Sequence, residues 1–407
     1  MMSRRVVTGL GMICIVVVAI MIAWLVQTDP GSQPPPEPTG SASPTTAQQG
    51  MLVAVRSDSG AIADAIVIAA GGTSEAPTAS LESLQPGLGL GFTTTGVTTL
   101  AQTGSSSPQS IQSQLAGQLG VRIPNGLVMD RLAFAGMVDA VGGVVVYIAK
   151  PIYGPKIAGK RTVLFPAGNI HLYGLPAAEY VLLLASNEDQ AARMGRFEQV
   201  WTQIVAGLPS DELRVRSMLG SLGSSAQNST TVAVMATLLV NYQQAQSRQS
   251  LLVGTLPVRA TGKGATAIYT PDPVATVALS TKLFGDIPLT PGANGNHQRV
   301  RLVDAGATGT ELVQAQDQLY RAGIDVIFGG IAVPQRSSKI FVSEPASATT
   351  IDTQLSAALG LPLVPVQANA TKAAGVTAEL DAAADLFTTA ASASPSSVSA
   401  SPSSGLN

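Results

Sequence analysis

The chain has 407 residues and a formal net charge of −2, which excludes a nucleic-acid-binding protein that relies on a basic surface. One cysteine and two histidines exclude a disulfide-stabilised scaffold, a zinc finger and an iron–sulfur protein. Hydrophobic residues make up 45% and charged residues 12%, so the chain can bury a sizeable core over about two or three domains.

An uncharged apolar segment follows Arg4 and Arg5 and extends over residues 6–26. About 20 apolar residues cross the hydrocarbon core of a bilayer, and positive residues stay on the cytoplasmic side. We therefore predict a cytoplasmic N-terminus at 1–5, a transmembrane helix at 6–27 and an extracytoplasmic remainder. The alternative is a cleaved signal peptide, whose apolar region spans only about 7–15 residues.

Composition divides the remaining chain into two folded domains and their linkers. Residues 28–49 are rich in Pro, Ser and Thr and are predicted to form a linker. A first domain is predicted at 50–257, a Gly-, Pro- and Thr-rich linker at 258–297 and a second domain at 298–387. Residues 388–407 lack charge and are predicted to be a disordered tail.

Strands and helices alternate along the first domain, which is typical of an α/β sandwich. Short apolar runs predict strands, and apolar residues at four-residue spacing, such as Ile111, Leu115 and Leu119, predict helices. The predicted strands are 51–55, 65–70, 144–149 and 251–256. The predicted helices are 108–119, 132–141, 175–186, 191–208 and 238–249.

The second domain is predicted to be a small β-α-β-β-α-β unit. A Thr before the first helix can cap its N-terminus, and glycines follow both helices. The predicted strands are 299–304, 325–328, 339–342 and 375–380, and the predicted helices are 311–321 and 348–359.

A motif over residues 110–146 resembles the core of the LytR-CpsA-Psr family. A helix that ends in Gly-Val leads to a Val-Asp-Ala-Val-Gly-Gly-Val segment, as in that family. The matching positions are Asp130, Gly136, Val138, Asp139, Ala140, Gly142, Gly143 and Val144. The resemblance continues through 171–174 and 177–181, and Asp189, Arg193 and Arg196 fall on the acidic and arginine run that follows. The second domain resembles the LytR C-terminal domain.

This resemblance implies an α/β/α sandwich and an extracytoplasmic, membrane-anchored phosphotransferase. Such enzymes attach glycopolymers from a polyprenyl-pyrophosphate carrier to peptidoglycan. Carboxylates hold Mg²⁺, and arginines neutralise the pyrophosphate. The resemblance makes Asp64 and Asp189 candidate Mg²⁺ ligands and Arg193 and Arg196 candidate contacts to a lipid phosphate. The implied partners are the polyprenyl-linked lipid or glycopolymer, peptidoglycan or other envelope proteins, and the membrane.

The sequence departs from the family pattern at several phosphate-binding arginines. The Arg-Ser-Asp-Thr strand start is replaced by residues 62–65, which keep Asp64 alone. Residues 84–91 lack the Arg and Asp of another family segment, and 182–184 are Leu where the family has Arg-x-Arg. Losing one such contact usually costs about 10²–10³-fold in rate. Whether other arginines take their place in space stays open, with these candidates: Arg56, Arg122 and Arg131.

Structural interpretations compete with each candidate role. Asp64 fits a polar strand end, and Asp139 fits a structural partner of the Gly-Gly turn. Arg193 and Arg196, three residues apart, fit a solvated helix face paired with neighbouring acids. Residues 87–91 lack the Lys and Ser/Thr of a P-loop, and no Gly-x-Ser-x-Gly elbow is present.

The sequence thus predicts a cell-envelope protein of a Gram-positive, actinobacterial cell. We expect a catalytically degenerate LytR-CpsA-Psr relative that binds polyprenyl-linked lipid or assists glycopolymer attachment. One alternative is an active Mg²⁺-dependent phosphotransferase with relocated arginines. The other is a non-catalytic module that binds a cell-wall partner.

Overall fold

A six-stranded mixed sheet forms the centre of the first domain. The computed structural model describes residues 46–73, 75–154, 161–185, 188–285, 287, 298–343, 347–360 and 366–387. The sheet strands are β1 (Thr46–Arg56), β2 (Ile62–Gly72), β3 (Pro77–Leu84), β6 (Asn125–Met129), β11 (Ala226–Asn228) and β12 (Leu251–Thr255). Their order in the sheet is β11-β6-β1-β2-β3-β12. β1, β2 and β3 form an antiparallel meander, and β6 and β12 pair in parallel with β1 and β3.

Helices cover both faces of this sheet, because β1 and β2 are apolar on both sides and must be buried on both. The helices are α1 (Pro108–Leu119), α2 (Arg131–Ala140), α3 (Gly174–Leu182), α4 (Gln190–Ala206), α5 (Glu212–Ser221), α6 (Val232–Ser247) and α7 (Pro273–Phe284). Helices α2 to α6 pack on one face, and α1 and α7 pack on the other. The predicted mixed α/β fold is confirmed.

Four two-stranded ribbons complete the first part of the chain. They are β4 (Gly89–Thr93) with β5 (Gly96–Thr99), β7 (Val144–Ile148) with β10 (Gly168–Leu172), β8 (Ile152–Tyr153) with β9 (Val163–Phe165), and β13 (Val258–Thr261) with β14 (Ile268–Pro271).

The stretch predicted to link the domains contains regular structure in its described part. The ribbon β13–β14 and helix α7 lie there, and α7 buries Leu283 and Phe284 against the central sheet. Asp272 caps α7 by accepting a hydrogen bond from the Ala275 amide at 3.1 Å. The Gly, Pro and Thr of this stretch therefore mark tight turns and a helix start, not only a connection.

The second domain has a five-stranded sheet with two helices packed into its core. Its strands are β15 (Arg299–Asp304), β16 (Asp325–Ile331), β17 (Lys339–Val342), β18 (Val366–Ala368) and β19 (Ala378–Ala382), in the order β16-β15-β19-β17-β18, and its helices are α8 (Gly309–Arg321) and α9 (Ala348–Leu359). The β-α-β-β-α-β prediction is confirmed, with β18 as an added strand.

The two domains share apolar contacts. Phe92 on β4 lies in the second domain's core, with its ring centroid 5.1 Å from that of Phe328 on β16. A Cβ on Gly89 would lie 2.1 Å from the Phe328 ring, so only glycine permits this approach. The described residues from Thr46 to Phe387 accordingly belong to one compact unit.

The predicted N-terminal residues 1–5, the anchor at 6–27 and the tail at 388–407 lie outside the described residues. The last four residues of the predicted linker 28–49 belong to β1. Of the helices that the structure describes, none combines the length and the apolar character needed to span a bilayer.

Candidate functional site

Asp64 and Arg193 form a buried ion pair between the central sheet and helix α4. Asp64 is fully buried on β2, on the face that carries Ile66 and Ile68. Arg193 Nε lies 3.4 Å from Asp64 Oδ2. Burial raises the pKa of Asp64 to about 6, an effect that Arg193 and Arg196 partly oppose. Within the described residues, neither Asp64 oxygen accepts a hydrogen bond.

Arg193 also forms part of the wall of a cavity of about 440 Å³ beside this pair. Its Nη2 donates to the carbonyl of Ala63. Arg193 is the only charged residue among the described residues that line this cavity. The wall consists of Ser57, Ala61, Ile62, Ala63, Pro86, Gly87, Val97, Thr99, Ala101, Gln102, Gln190, Arg193, Thr266, Ala267 and Ile268. The cavity thus offers one guanidinium that already has a carboxylate partner.

Each nitrogen of the Arg196 guanidinium has a partner within the protein. Its Nε donates to the Tyr180 carbonyl at 2.8 Å, its Nη1 contacts Glu188 Oε1 at 2.5 Å, and its Nη2 donates to the Leu183 carbonyl. Arg193 and Arg196 are 8% and 6% exposed. The interpretation of a solvated helix face is therefore wrong, because α4 turns both arginines inward. The expected pairing with a neighbouring acid is confirmed for Arg196, whose partner is Glu188.

Asp189 is the N-cap of α4, where its Oδ1 accepts from the Ala192 amide at 2.9 Å. Its side chain is exposed, whereas Asp64 is fully buried beside Arg193 and is absent from the cavity wall. Across the described part of the chain, no group of three or more His, Cys, Asp or Glu residues could hold a metal ion. Since Mg²⁺ prefers several oxygen ligands, these residues do not fit the ion well. The Mg²⁺ assignment stays a prediction.

Leucines occupy the place where the resemblance expects two arginines. Leu182 ends α3, and Leu183 and Leu184 follow it, all half-buried. Leu182 and Leu183 line a cavity of about 340 Å³ together with Asp58 and Arg131. Leu182 and Leu183 carry no charge, so they cannot neutralise a phosphate as the expected arginines would.

Two of the three possible replacement arginines line one cavity of about 660 Å³ near the carboxyl ends of β1 and β6. Arg56 Nη2 donates to Gln227 Oε1 at 2.8 Å, and burial lowers its pKa while Asp130 raises it. Arg131 Nη1 pairs with Asp58 Oδ2 at 3.2 Å. Arg122, by contrast, is exposed and does not line this cavity.

Other residues have structural roles, and that of Asp139 agrees with the prediction. Asp139 Oδ1 accepts from the Gly174 amide at 2.7 Å, which ties the Gly-Gly turn region to α3. His171 is exposed, and Trp201 and Phe197 belong to the core. No sequence motif marks the polar cavity residues, because they come from separate parts of the chain: Ser57, Thr99, Gln102 and Gln190.

Residues 100–283 match the LytR_cpsA_psr family. The chain matches no curated protein. A proposed transcription regulator from Eubacterium siraeum aligns over 64% of this chain and 100% of its own, at 12% identity and a TM-score of 0.50. TagV of B. subtilis aligns over 60% of this chain and 99% of its own, at 14% identity and a TM-score of 0.49.

The structure of TagT bound to LI-WTA aligns over 59% of this chain and 91% of its own, at 13% identity and a TM-score of 0.46. At such identities, a structural likeness concerns the fold alone. The family resemblance is confirmed over 100–283, while the resemblance to a LytR C-terminal domain stays a prediction.

Proposed function

From the premise that residues 100–283 carry a LytR_cpsA_psr domain, we propose that the chain is a cell-envelope protein that binds a polyprenyl-phosphate-linked lipid or glycopolymer without transferring its phosphate. It then assists the attachment of glycopolymers to peptidoglycan as a partner of active envelope proteins. The predicted anchor at 6–27 holds it at the membrane where such lipids reside.

The wall of the Arg193 cavity supports this proposal most directly. Transfer of a phosphoryl group requires several cationic groups around the phosphate, because negative charge must be neutralised as the bond breaks. Here one guanidinium lines the cavity, and Asp64 lies 3.4 Å from it. Hydroxyl, amide and apolar groups make up the rest of the wall, which favours retention of a ligand over cleavage.

Phosphate release and lipid retention, measured together, test the proposal. The full chain in detergent is incubated with a polyprenyl pyrophosphate and Mg²⁺, and lipid that co-elutes with the protein is quantified. We expect retention without release. Arg193→Gln should weaken retention at least about tenfold, since a charge-assisted hydrogen bond contributes about 1.5–3 kcal/mol. Arg216→Gln, on the exposed side of α5, is the matched control and should retain lipid like the parent.

An active phosphotransferase with relocated arginines is the second candidate, because Arg56 and Arg131 line one cavity. Release that is lost in Asp64→Asn, Arg56→Gln or Arg131→Gln would establish that candidate and overturn the first. Neither retention nor release would favour a non-catalytic module that binds a wall partner.

A further inference from the structure

A cavity of about 350 Å³ lies where α1 and α7 of the first domain meet β15 of the second. It shares no wall residue with the Arg193 cavity. One wall is the end of α1, a second is α7, and a third includes Arg299 and Arg301. It is therefore separate from the site of the proposed function.

The charged residues that line this cavity, in the described part of the chain, are both positive. Arg299 and Arg301 are two residues apart on β15, so both side chains leave the same face of the strand. Burial and the neighbouring Arg301 together lower the pKa of Arg299 to about 10, an effect that Asp325 partly opposes. Glu379 Oε2 lies 3.4 Å from Arg301 Nη1 and offsets part of this charge. Two confined cations favour a negatively charged ligand.

Protein contacts hold these guanidinium groups without using all of their donors. Arg299 donates to the carbonyls of Gly375, at 3.0 Å, and Gly117. Arg301 donates to the carbonyls of Lys372 at 2.6 Å and Ala374 at 2.9 Å. A guanidinium has five N–H donors, so each arginine is fixed in place and still has donors to offer.

Further polar atoms of the wall residues lack partners. Thr276 and Ser280 on α7 are each 5% exposed, and their hydroxyls make no hydrogen bond to any described residue. The same is true of Arg299 Nε. A buried donor without an acceptor costs about 1–3 kcal/mol, so a ligand with acceptor oxygens would relieve this cost.

The rest of the wall is largely apolar and includes Leu119, Val121, Phe284 and Ile327. Small-molecule sites typically combine such an apolar lining with a few convergent polar groups. We propose that this cavity binds a small amphipathic oxyanion, with a phosphate or carboxylate group at Arg299, Arg301 and the α7 hydroxyls, and a short apolar body against the remaining wall.

Calorimetric titration of the full chain in detergent tests this proposal with four probes: phenyl phosphate, benzoate, inorganic phosphate and benzyl alcohol. We expect phenyl phosphate or benzoate to bind at least tenfold more tightly than benzyl alcohol, which has the ring without the charge. Comparison of the first two probes identifies the anionic group. Tight binding of inorganic phosphate alone would place a free anion there and overturn the amphipathic ligand.

The double substitution Thr276→Val with Ser280→Ala keeps the side-chain sizes and removes both hydroxyls. It should weaken the binding of the preferred probe about tenfold or more, since a hydrogen bond to a charged group contributes about 1.5–3 kcal/mol. Thr237→Val with Ser247→Ala removes two exposed hydroxyls of α6 and should bind like the parent. Equal affinity of both double variants would overturn the proposal. Arg193→Gln should bind the probe unchanged, so this test does not depend on the proposed function.

Discussion

The side-chain amide of Gln118 makes two hydrogen bonds with the main chain of Phe328. Its Nε2 donates to the Phe328 carbonyl at 2.9 Å, and its Oε1 accepts from the Phe328 amide at 3.2 Å. Gln118 is on α1 and Phe328 is on β16, so one buried amide pairs with an edge strand of the second domain. This pair occupies the seam between the domains, beside the cavity that Arg299 and Arg301 line.

Replacement of Gln118 by Ala should destabilise the protein by about 2–4 kcal/mol, because it leaves a buried carbonyl and a buried amide without partners. Urea unfolding measures this change. Gln114→Ala removes an exposed amide from the same helix, where its Nε2 donates to Ser110 Oγ at 3.3 Å, and should cost less than about 1 kcal/mol. Equal losses in the two variants would show that the pairing with Phe328 contributes nothing.

Gly89→Ala should also destabilise the seam, because the new Cβ would lie 2.1 Å from the Phe328 ring. Overpacking of this kind typically costs about 1–3 kcal/mol. Gly91→Ala is on the same strand and meets only the end of the Gln316 side chain, at 3.3 Å. We expect the Tm of Gly89→Ala to fall well below that of Gly91→Ala, and the reverse order would contradict this packing.

Glu82 should make the stability depend on pH. It is fully buried on β3, and burial raises the pKa of its carboxyl to about 8. The folded state therefore binds the proton more tightly than the unfolded state, whose carboxyl has a pKa near 4.5. Its contribution to stability is highest below about pH 4.5 and falls by up to about 1.4 kcal/mol per pH unit until about pH 8.

Glu82→Gln should remove this fall, because the amide cannot ionise. Urea unfolding between about pH 6 and pH 8, above the pKa of about 6 of the buried Asp64, compares the variant with its parent. Glu75→Gln replaces an exposed glutamate and should leave the slope unchanged. A slope that persists in Glu82→Gln would assign the titration to another group.

Two substitutions of Asp189 distinguish a helix-capping role of this residue from a metal-binding role. Asp189→Ala should cost about 1 kcal/mol, because α4 loses its N-cap, whereas Asp189→Asn should cost only a few tenths, since Asn caps equally well. Thermal unfolding with and without Mg²⁺ measures both. A Mg²⁺-dependent rise in Tm that vanishes in Asp189→Asn would instead favour the predicted metal site.

Arg196→Ala should lower the stability of the protein, and Arg196→Lys should not restore it. The guanidinium contacts Tyr180, Leu183 and Glu188 at once, and a lysine cannot reproduce this planar geometry. Breaking a buried pair costs about 3–5 kcal/mol. Arg214→Lys, in an exposed pair on α5, is the control and should be neutral. Full stability of Arg196→Lys would mean that the charge alone suffices.

The sequence predicted most elements whose apolar residues follow a clear period. Helix α1 and strands β15 and β17 have the predicted bounds. Strand β3 was missed because Ser80, Glu82 and Ser83 occupy buried positions, which interrupts the apolar pattern that marks a strand. The ribbon β4–β5 escapes prediction because Gly89 and Gly91 interrupt the apolar pattern that marks a strand.

The sequence offers Asp64 and Arg193 as candidates for two separate roles and does not predict that they pair. Their pairing depends on how α4 crosses the sheet, which the sequence pattern does not specify. The burial of Arg193 and Arg196 followed from the same packing. Spacing of three residues on a helix indicates a shared face and leaves open which side that face meets.

The insertion of Phe92 into the second domain's core constrains the order in which the parts of the protein can fold. Phe92 emerges from the ribosome long before its partner Phe328 and, at about 5–20 residues per second, waits on the order of 10–50 seconds for it. The outer edge of β3 likewise stays unpaired until β12, which begins at Leu251, has been synthesised. Over that interval both surfaces are open to other chains, so the yield of folded protein depends on how quickly the last third of the polypeptide arrives.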